Sequence, residues 1–407
     1  MNEVIKYIKV YCLTFVIIIA LMGISFCIPR KYISKNSIES IKLVRKSFID
    51  SKLSYKYPEY LESDDGDLRY MEMIYLVDNR HPINSLVEMN SYLEGNLNEL
   101  DKNSYSYTQY ARYWHAPVLY LRIWMLFGNI KSFIVLEIIV LIIVSIITFI
   151  SIYSENKSLA ISFLIVYLMF SLFGIYKNIS YFNCTIISMI STIIITKKYK
   201  DNKFIPYIFM INGLLVSLFD FLTIETLTLT FPLTMLIILK SCSQQELSIK
   251  EGIKYITIWI ISYILPFIIK NIINYFYFDK EIIYDIFNRY LYEGNNLKFK
   301  IDLFKLLNNN LKLILPFYYL KNYWYVLIPI IVIFIYNAIF MIDFKKYRSY
   351  ILVAIVCLIR FAMFPIQAIL FSFTTFRTII PICLFIIYII VKQIENIINH
   401  IKSLTKQ

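Results

Sequence analysis

Glycine and charge are both scarce in this sequence: 8 Gly among 407 residues, and Asp, Glu, Lys and Arg together at 17%. So little glycine excludes a collagen-like or low-complexity chain. No GxGxxG or GxxxxGK string is present to cradle a phosphate in a soluble nucleotide enzyme. Histidine occurs three times, and the six cysteines (12, 27, 184, 242, 357 and 383) form no CxxC pair and have no His cluster beside them. That spacing argues against a metal centre or a disulfide framework, so the cysteines read as small buried hydrophobes in or beside apolar runs.

What is abundant is apolar surface. Hydrophobic residues make up 58% of the chain, against about 45–50% in a soluble domain, and the mean hydropathy is +0.61. A polytopic membrane protein follows. The formal net charge of +13 would suggest nucleic acid in a soluble chain. Here Lys and Arg gather in short pieces between apolar runs, which is the positive-inside pattern, and no nucleic acid is expected.

The first apolar run, Tyr11 to Ile28, lacks a small-residue cleavage site before Pro29 and reads as an uncleaved anchor. Further spans are expected at about 131–153, 158–176, 180–196, 204–219, 226–240, 254–270, 323–342, 350–365 and 378–392. Each approaches the roughly 20 residues that cover the hydrocarbon core. The expected fold class is thus an all-α integral membrane protein of about ten transmembrane helices with a large helical first extracytoplasmic loop. In chain order it divides into 1–28 (stub and first span), 29–130 (outer loop), 131–270 (spans two to seven), 271–322 (second outer loop) and 323–407 (spans eight to ten and tail). With both termini cytoplasmic, the inner pieces carry 16 Lys/Arg against 7 Asp/Glu, whereas 29–130 carries 13 of each. A multi-pass protein of a bacterial cell membrane is the expected setting.

Three- and four-residue spacing recurs in the outer loop: Ile38, Ile41, Val44 and Phe48 after Ser37; Leu68, Met71, Ile74, Tyr75 and Val77; Leu119, Ile123, Leu126 and Phe127. Each set predicts a short amphipathic helix, with Trp114 and Trp124 at headgroup depth and no sheet of consequence.

Four features carry chemistry. Asp64, Asp65 and Asp67, with Glu62 before them, form an acidic cluster. It suits a hydrated turn with Asp67 capping a helix from Leu68, or a site for a cation, a substrate amine or a shared proton. Tyr110-Ala111-Arg112-Tyr113-Trp114-His115 sets a fixed cation, a His and three aromatic rings at the outer surface. That is an aromatic belt with a snorkelling Arg, or a platform where Arg112 and His115 neutralise a lipid-linked phosphate and the rings stack on a sugar. Asp220 and Glu225 flank an outer hairpin, and Arg377 lies near the outer end of the last span. Arg360 and Lys270 read as cations snorkelling to a membrane surface.

The string from Tyr110 to Asn129, YARYWHAPVLYLRIWMLFGN, resembles the RYWHG-type stretch of a group of multi-spanning proteins in low-GC Gram-positive bacteria. Asp220 to Leu233 resembles that group's DFLT-type hairpin, and Phe376-Arg377 its final Tyr-Arg element. The layout is similar to the GT-C glycosyltransferase superfamily, with Asp64-Asp65 and Asp65-Gly66-Asp67 matching its DD or DxD motif after the first span. Ala116 departs from the group's Gly, and Ile366-Gln367 from an expected Asn-His pair.

The resemblance implies a sugar transferred, with inversion, from a polyprenyl-phosphate donor to a glycan or protein acceptor of the cell envelope. Asp65 or Asp67 would be the base. Arg112, Tyr113, Trp114, His115, Asp220, Glu225 and Arg377 would bind substrate, and Asp65 and Asp67 would hold a divalent Mg or Mn if one takes part. A Wzy-like polysaccharide polymerase, resting on outer-loop arginines, and a lipid-linked saccharide transporter are the alternatives. For the topology, a cysteine placed at Ser104 is expected to react with a membrane-impermeant maleimide from the extracytoplasmic side of intact cells; labelling from the cytoplasmic side alone reverses the orientation.

Overall fold

The computed structural model describes residues 2–53, 65–94, 106–111, 113–170, 179–219, 224–278, 347–363 and 380–404. In chain order these form α1 (Asn2–Phe26), α2 (Arg30–Leu53), α3 (Asp65–Leu76), α4 (Pro82–Glu88), β1 (Asn90–Glu94), β2 (Ser106–Gln109), α5 (Pro117–Trp124), α6 (Ile130–Glu155), α7 (Lys157–Met169), α8 (Ile179–Lys198), α9 (Ile205–Phe219), α10 (Leu227–Cys242), α11 (Ile249–Tyr277), α12 (Tyr350–Met363) and α13 (Ile380–Leu404). Five stretches, Val4–Phe26, α6, α8, α11 and α13, are long and apolar enough to cross a membrane, and α7, α9 and α10 are shorter apolar helices. The protein is a helical membrane protein. Bare apolar faces agree: Val135, Ile139, Ile142, Ile146 and Ile150 on α6, and Ile253, Ile260, Ile264 and Ile268 on α11, point away from the protein, where lipid is the solvent they suit.

Helix starts follow local chemistry. Asn129 caps α6 by accepting from Lys131 and Ser132 amides, Asn156 caps α7, and Ser248 with Glu251 forms a reciprocal capping box on α11.

At the centre stands α10, buried on every side from Leu227 to Ser241. A helix that is apolar all round belongs inside. Its Pro232 lacks an amide and so leaves the carbonyl of Thr228 without its usual helical donor. Asn212 of α9 fills that place, donating from Nδ2 at 2.9 Å, and itself accepts from Ser191 Oγ of α8 at 2.6 Å. Pro266 in α11 frees the carbonyl of Ser262 in the same way, and the Tyr11 hydroxyl of α1 donates to it at 3.1 Å. Two helix-breaking residues thus become two interhelical ties, which is how prolines are tolerated in membrane helices.

Residues of α2, α3 and α5 form a second apolar core with α1 and α9, built from Met22, Phe26, Ile41, Met71, Ile74, Leu121 and Leu214 among others. Arg122 of α5 sits at its heart, 0% exposed. Its Nε donates to Ser25 O at 3.0 Å and its Nη2 to Ile28 O at 2.6 Å, while Nη1 bonds Ile74 O. Glu72 of α3, equally buried, receives Arg45 of α2 at 3.0 Å, Arg69 at 2.7 Å and Ser91 Oγ of β1 at 3.3 Å. Ser40 of α2 accepts the Ile130 amide at 2.9 Å, and Asn36 donates to Met125 O at 2.8 Å, which fixes α2 beside the start of α6.

Several expectations need correction. The helix expected after Ser37 begins at Arg30, directly behind the Pro29 break. The outer loop also holds a two-stranded antiparallel hairpin, Asn90 opposite Gln109, which its length of four or five residues kept from showing as alternation. Cys12, Cys27 and Cys242 lie on the protein's surface, and Cys184 and Cys357 are buried. Lys270 does not snorkel: it is 0% exposed and donates to Leu86 O at 2.9 Å and Val87 O at 2.7 Å, capping the end of α4. Trp114 is buried too, so it is no headgroup anchor. The span at 323–342 and most of the second outer loop fall outside the described residues.

Helices α9 and α11 approach closely at Gly213. A Cβ there would stand 2.5 Å from the Trp259 carbonyl oxygen and 2.9 Å from Ser262 Cβ. Gly213→Ala is expected to push the helices apart and cost about 1–3 kcal/mol, read as a lower Tm of the detergent-solubilised protein; an unchanged Tm contradicts the tight crossing.

Candidate functional site

The amphipathic stretch from Leu68 does fold as a helix, α3, with Leu68, Met71, Ile74 and Tyr75 all buried. It starts at Asp65, so Asp67 lies inside the first turn instead of ahead of it. There Asp67 is 4% exposed, and its Oδ1 accepts the amide of Ile179, the first residue of α8, at 3.1 Å. A carboxylate at a helix N-terminus satisfies an otherwise orphan donor and meets the positive end of the helix dipole. One turn on, the Tyr70 hydroxyl lies 3.3 Å from Ser180 Oγ. The acidic end of α3 therefore stands on the start of α8.

Ala111 and Trp114 are pinned by one face of α11. Pro266, Lys270 and Asn274 recur every four residues and are all buried. Asn274 Nδ2 donates to Ala111 O at 2.9 Å, Trp114 Nε1 donates to Pro266 O at 2.8 Å, and the Lys270 ammonium lies 5.0 Å from the Trp114 ring centroid. From the other side the Ala116 amide donates to Leu218 O of α9 at 2.9 Å. Held so, His115 adopts a left-handed backbone, φ 49°, uncommon outside glycine and a mark of a position over-determined by its surroundings. Its ring stacks on Tyr110 at 5.0 Å and meets Tyr113 edge-on at 5.7 Å and Tyr70 at 6.0 Å. Tyr70 thus touches both the start of α8 and the aromatic platform.

A third group lies just inside. Tyr120 of α5 is sandwiched flat between Phe133 of α6 at 5.6 Å and Phe219 of α9 at 6.2 Å. Its hydroxyl donates to Asn183 Oδ1 at 3.1 Å and accepts from Asn183 Nδ2 at 2.9 Å. Burial above all, with Glu137 next and Tyr70 and Asp67 adding to it, holds this phenol well above its ordinary pKa, against the Asn183 hydrogen bond that lowers it. The phenol stays protonated, a donor. Glu137 follows Phe133 by one turn on the buried face of α6; it is 1% exposed, and neither of its oxygens has a hydrogen-bond partner.

Of the residues singled out from sequence, Asp67, Tyr113 and His115 gather around Tyr70, and Trp114 supports them from behind. Asp65 opens α3, with its side chain outside the described residues, as are Asp64, Arg112, Asp220, Arg377 and Gln367. Glu225 is buried at the foot of α10, where its carbonyl accepts from Thr228 Oγ1 at 2.8 Å. Among the described residues no group of three or more His, Cys, Asp and Glu is placed to hold a metal ion. Sequence reading missed Tyr120, Arg122 and Glu137. The signal for Glu137 was visible: it is the one acid between Ile130 and Ser154 in an otherwise apolar run.

Asp67→Ala is expected to orphan the Ile179 amide and lower stability by about 0.5–2 kcal/mol, whereas Asp67→Asn, which keeps an acceptor oxygen, recovers most of it; equal Tm values for the two variants contradict the capping role. Comparison of the sequence with family models and with curated proteins, and of the fold with solved structures, returns no match.

Proposed function

We propose that this chain is a polytopic membrane glycosyltransferase of the GT-C kind, moving a sugar from a polyprenyl-phosphate donor to a glycan or protein acceptor outside the cell. The observation that carries this reading is the junction at Tyr70, where the acidic start of α3 and the ring platform around His115 come side by side. Transfer needs both parts close together: a carboxylate to take the acceptor proton, and cations and rings to hold the phosphate and the sugar.

The roles divide as follows. Asp67 is engaged by the α8 amide and positions α3, which leaves Asp65 as the base. The acceptor hydroxyl loses its proton to Asp65, its oxygen forms a bond to the anomeric carbon from the far side, and the bond to the phosphate oxygen breaks with inversion. Arg112, His115 and Arg377 offset the charge that grows on the leaving polyprenyl phosphate, with Arg112 presenting a planar fork suited to phosphate oxygens. Tyr113 and Tyr110 stack on the sugar, and Asp220 and Glu225 bind hydroxyls. A divalent Mg or Mn, where one takes part, would be held by Asp65 and its acidic neighbours and would screen the phosphate charge.

A second reading, a lipid-linked saccharide transporter, is favoured by one set of observations: Glu137 and Lys270 buried within apolar helices, and Pro232 and Pro266 inside helices. A Wzy-like polymerase has no comparable support.

Sugar transfer in vesicles containing a polyprenyl-phosphate sugar separates them. Asp65→Asn is expected to lower transfer at least about 10²-fold with folding intact, and Asp67→Ala to act mainly through stability. Transfer at the parent rate in Asp65→Asn overturns the assignment of the base, and movement of intact lipid-linked saccharide without cleavage establishes the transporter.

A further inference from the structure

The carboxyl of Glu137 is buried inside the protein, 1% exposed. Seven residues separate it from Ile130, the start of α6, which at 1.5 Å per residue places it about 10 Å along the helix. It lies on the stripe Ile130, Phe133, Glu137, Leu141 that α6 buries. Both oxygens are inaccessible and accept no hydrogen bond. An ionised carboxylate left so, with neither donor nor counter-charge, costs several kcal/mol.

Among the described residues, the elements packed on or near α6 carry the following polar groups. From α5 comes Tyr120, held as a hydrogen-bond donor, and beyond that hydroxyl lie Asp67 and Tyr70 of α3. From α8 comes the neutral Asn183, paired with Tyr120. α7 contributes Tyr167, which lies by Ser145, two turns further along α6. α2 meets the start of α6, where Ser40 takes the Ile130 amide. None of these is a cation, and no metal-holding group is present among the described residues. What satisfies a lone buried carboxylate under these conditions is a proton.

We propose that Glu137 is a proton-binding site inside the membrane, linked to the outer-face site through the Tyr120–Asn183 pair. An acid in such a position is the usual way a membrane protein couples its work to a proton gradient. The inference rests on the buried carboxyl and not on the transfer chemistry, so it stands whether the chain is a transferase or a transporter.

Infrared spectroscopy of the full-length protein in lipid nanodiscs tests it. The wild-type minus Glu137→Gln difference spectrum at neutral pH is expected to contain the C=O stretch of a protonated carboxyl, fading in strongly alkaline buffer. A difference made of carboxylate bands alone at neutral pH overturns the proposal. Tyr120→Phe keeps Glu137 and the stacked ring but removes the hydroxyl, and the protonated-carboxyl band is expected to shift in frequency. A band at the parent frequency overturns the link to Tyr120. Should Glu137→Gln not fold, the wild-type alkaline-minus-neutral difference spectrum carries the test, and the lack of a protonated-carboxyl C=O band that is lost in alkali overturns the proposal.

Discussion

The guanidinium of Arg122 is the constraint on which the packing of α1, α3 and α5 depends. Two chain segments bring three carbonyls against it: the C-terminal end of α1 and the residues just after it through Ser25 and Ile28, and the last turn of α3 through Ile74. Helix ends leave carbonyls unpaired, and their dipoles favour a cation, so one side chain satisfies both needs without a carboxylate. Burial and the nearby Arg30 push its pKa down to about 9, which leaves it charged at neutral pH. Shorten that side chain and the carbonyls it serves are left buried and unmet, while α3 loses its fixed place over α8.

Deeper in the bundle the same economy recurs with neutral groups. The carbonyls freed by Pro232 and Pro266 are taken by Asn212 and Tyr11, and Trp259 Nε1 finds Thr228 Oγ1 at 3.1 Å. In lipid the apolar surface of a helix gains little from packing on another apolar helix, so such hydrogen bonds and close approaches like that at Gly213 do much of the associating. The consequence is a rigid frame behind the platform. α11 in particular uses a single face, Pro266, Lys270 and Asn274, to hold Ala111, Trp114 and the end of α4.

Against that frame two buried acids differ sharply. Asp67 sits at the start of a helix and accepts its amide, an environment that welcomes negative charge. Glu137 sits mid-helix among apolar residues with nothing to accept from, an environment that rejects it. Both raise the pKa of Tyr120, Glu137 more than Asp67. Two carboxyl groups with opposed surroundings thus bear on one hydroxyl.

The amino-acid sequence by itself determined where the apolar helices lie, because hydropathy over some twenty residues is a local property that lipid reads directly. The runs near 131–153, 180–196 and 254–270 became α6, α8 and α11, and the spacing of Leu68, Met71 and Ile74 became α3. It also marked the aromatic platform and the acidic stretch, since both are contiguous in the chain. Partners were decided by the tertiary structure alone. Asp67 as a cap for a helix 112 residues away, Lys270 as a cap for α4 instead of a snorkelling cation, and Arg122 as a triple clamp each require a carbonyl or amide from a distant segment. A residue's type limits which hydrogen bonds it can make; only the packing of helices remote in sequence selects which of those bonds it does make.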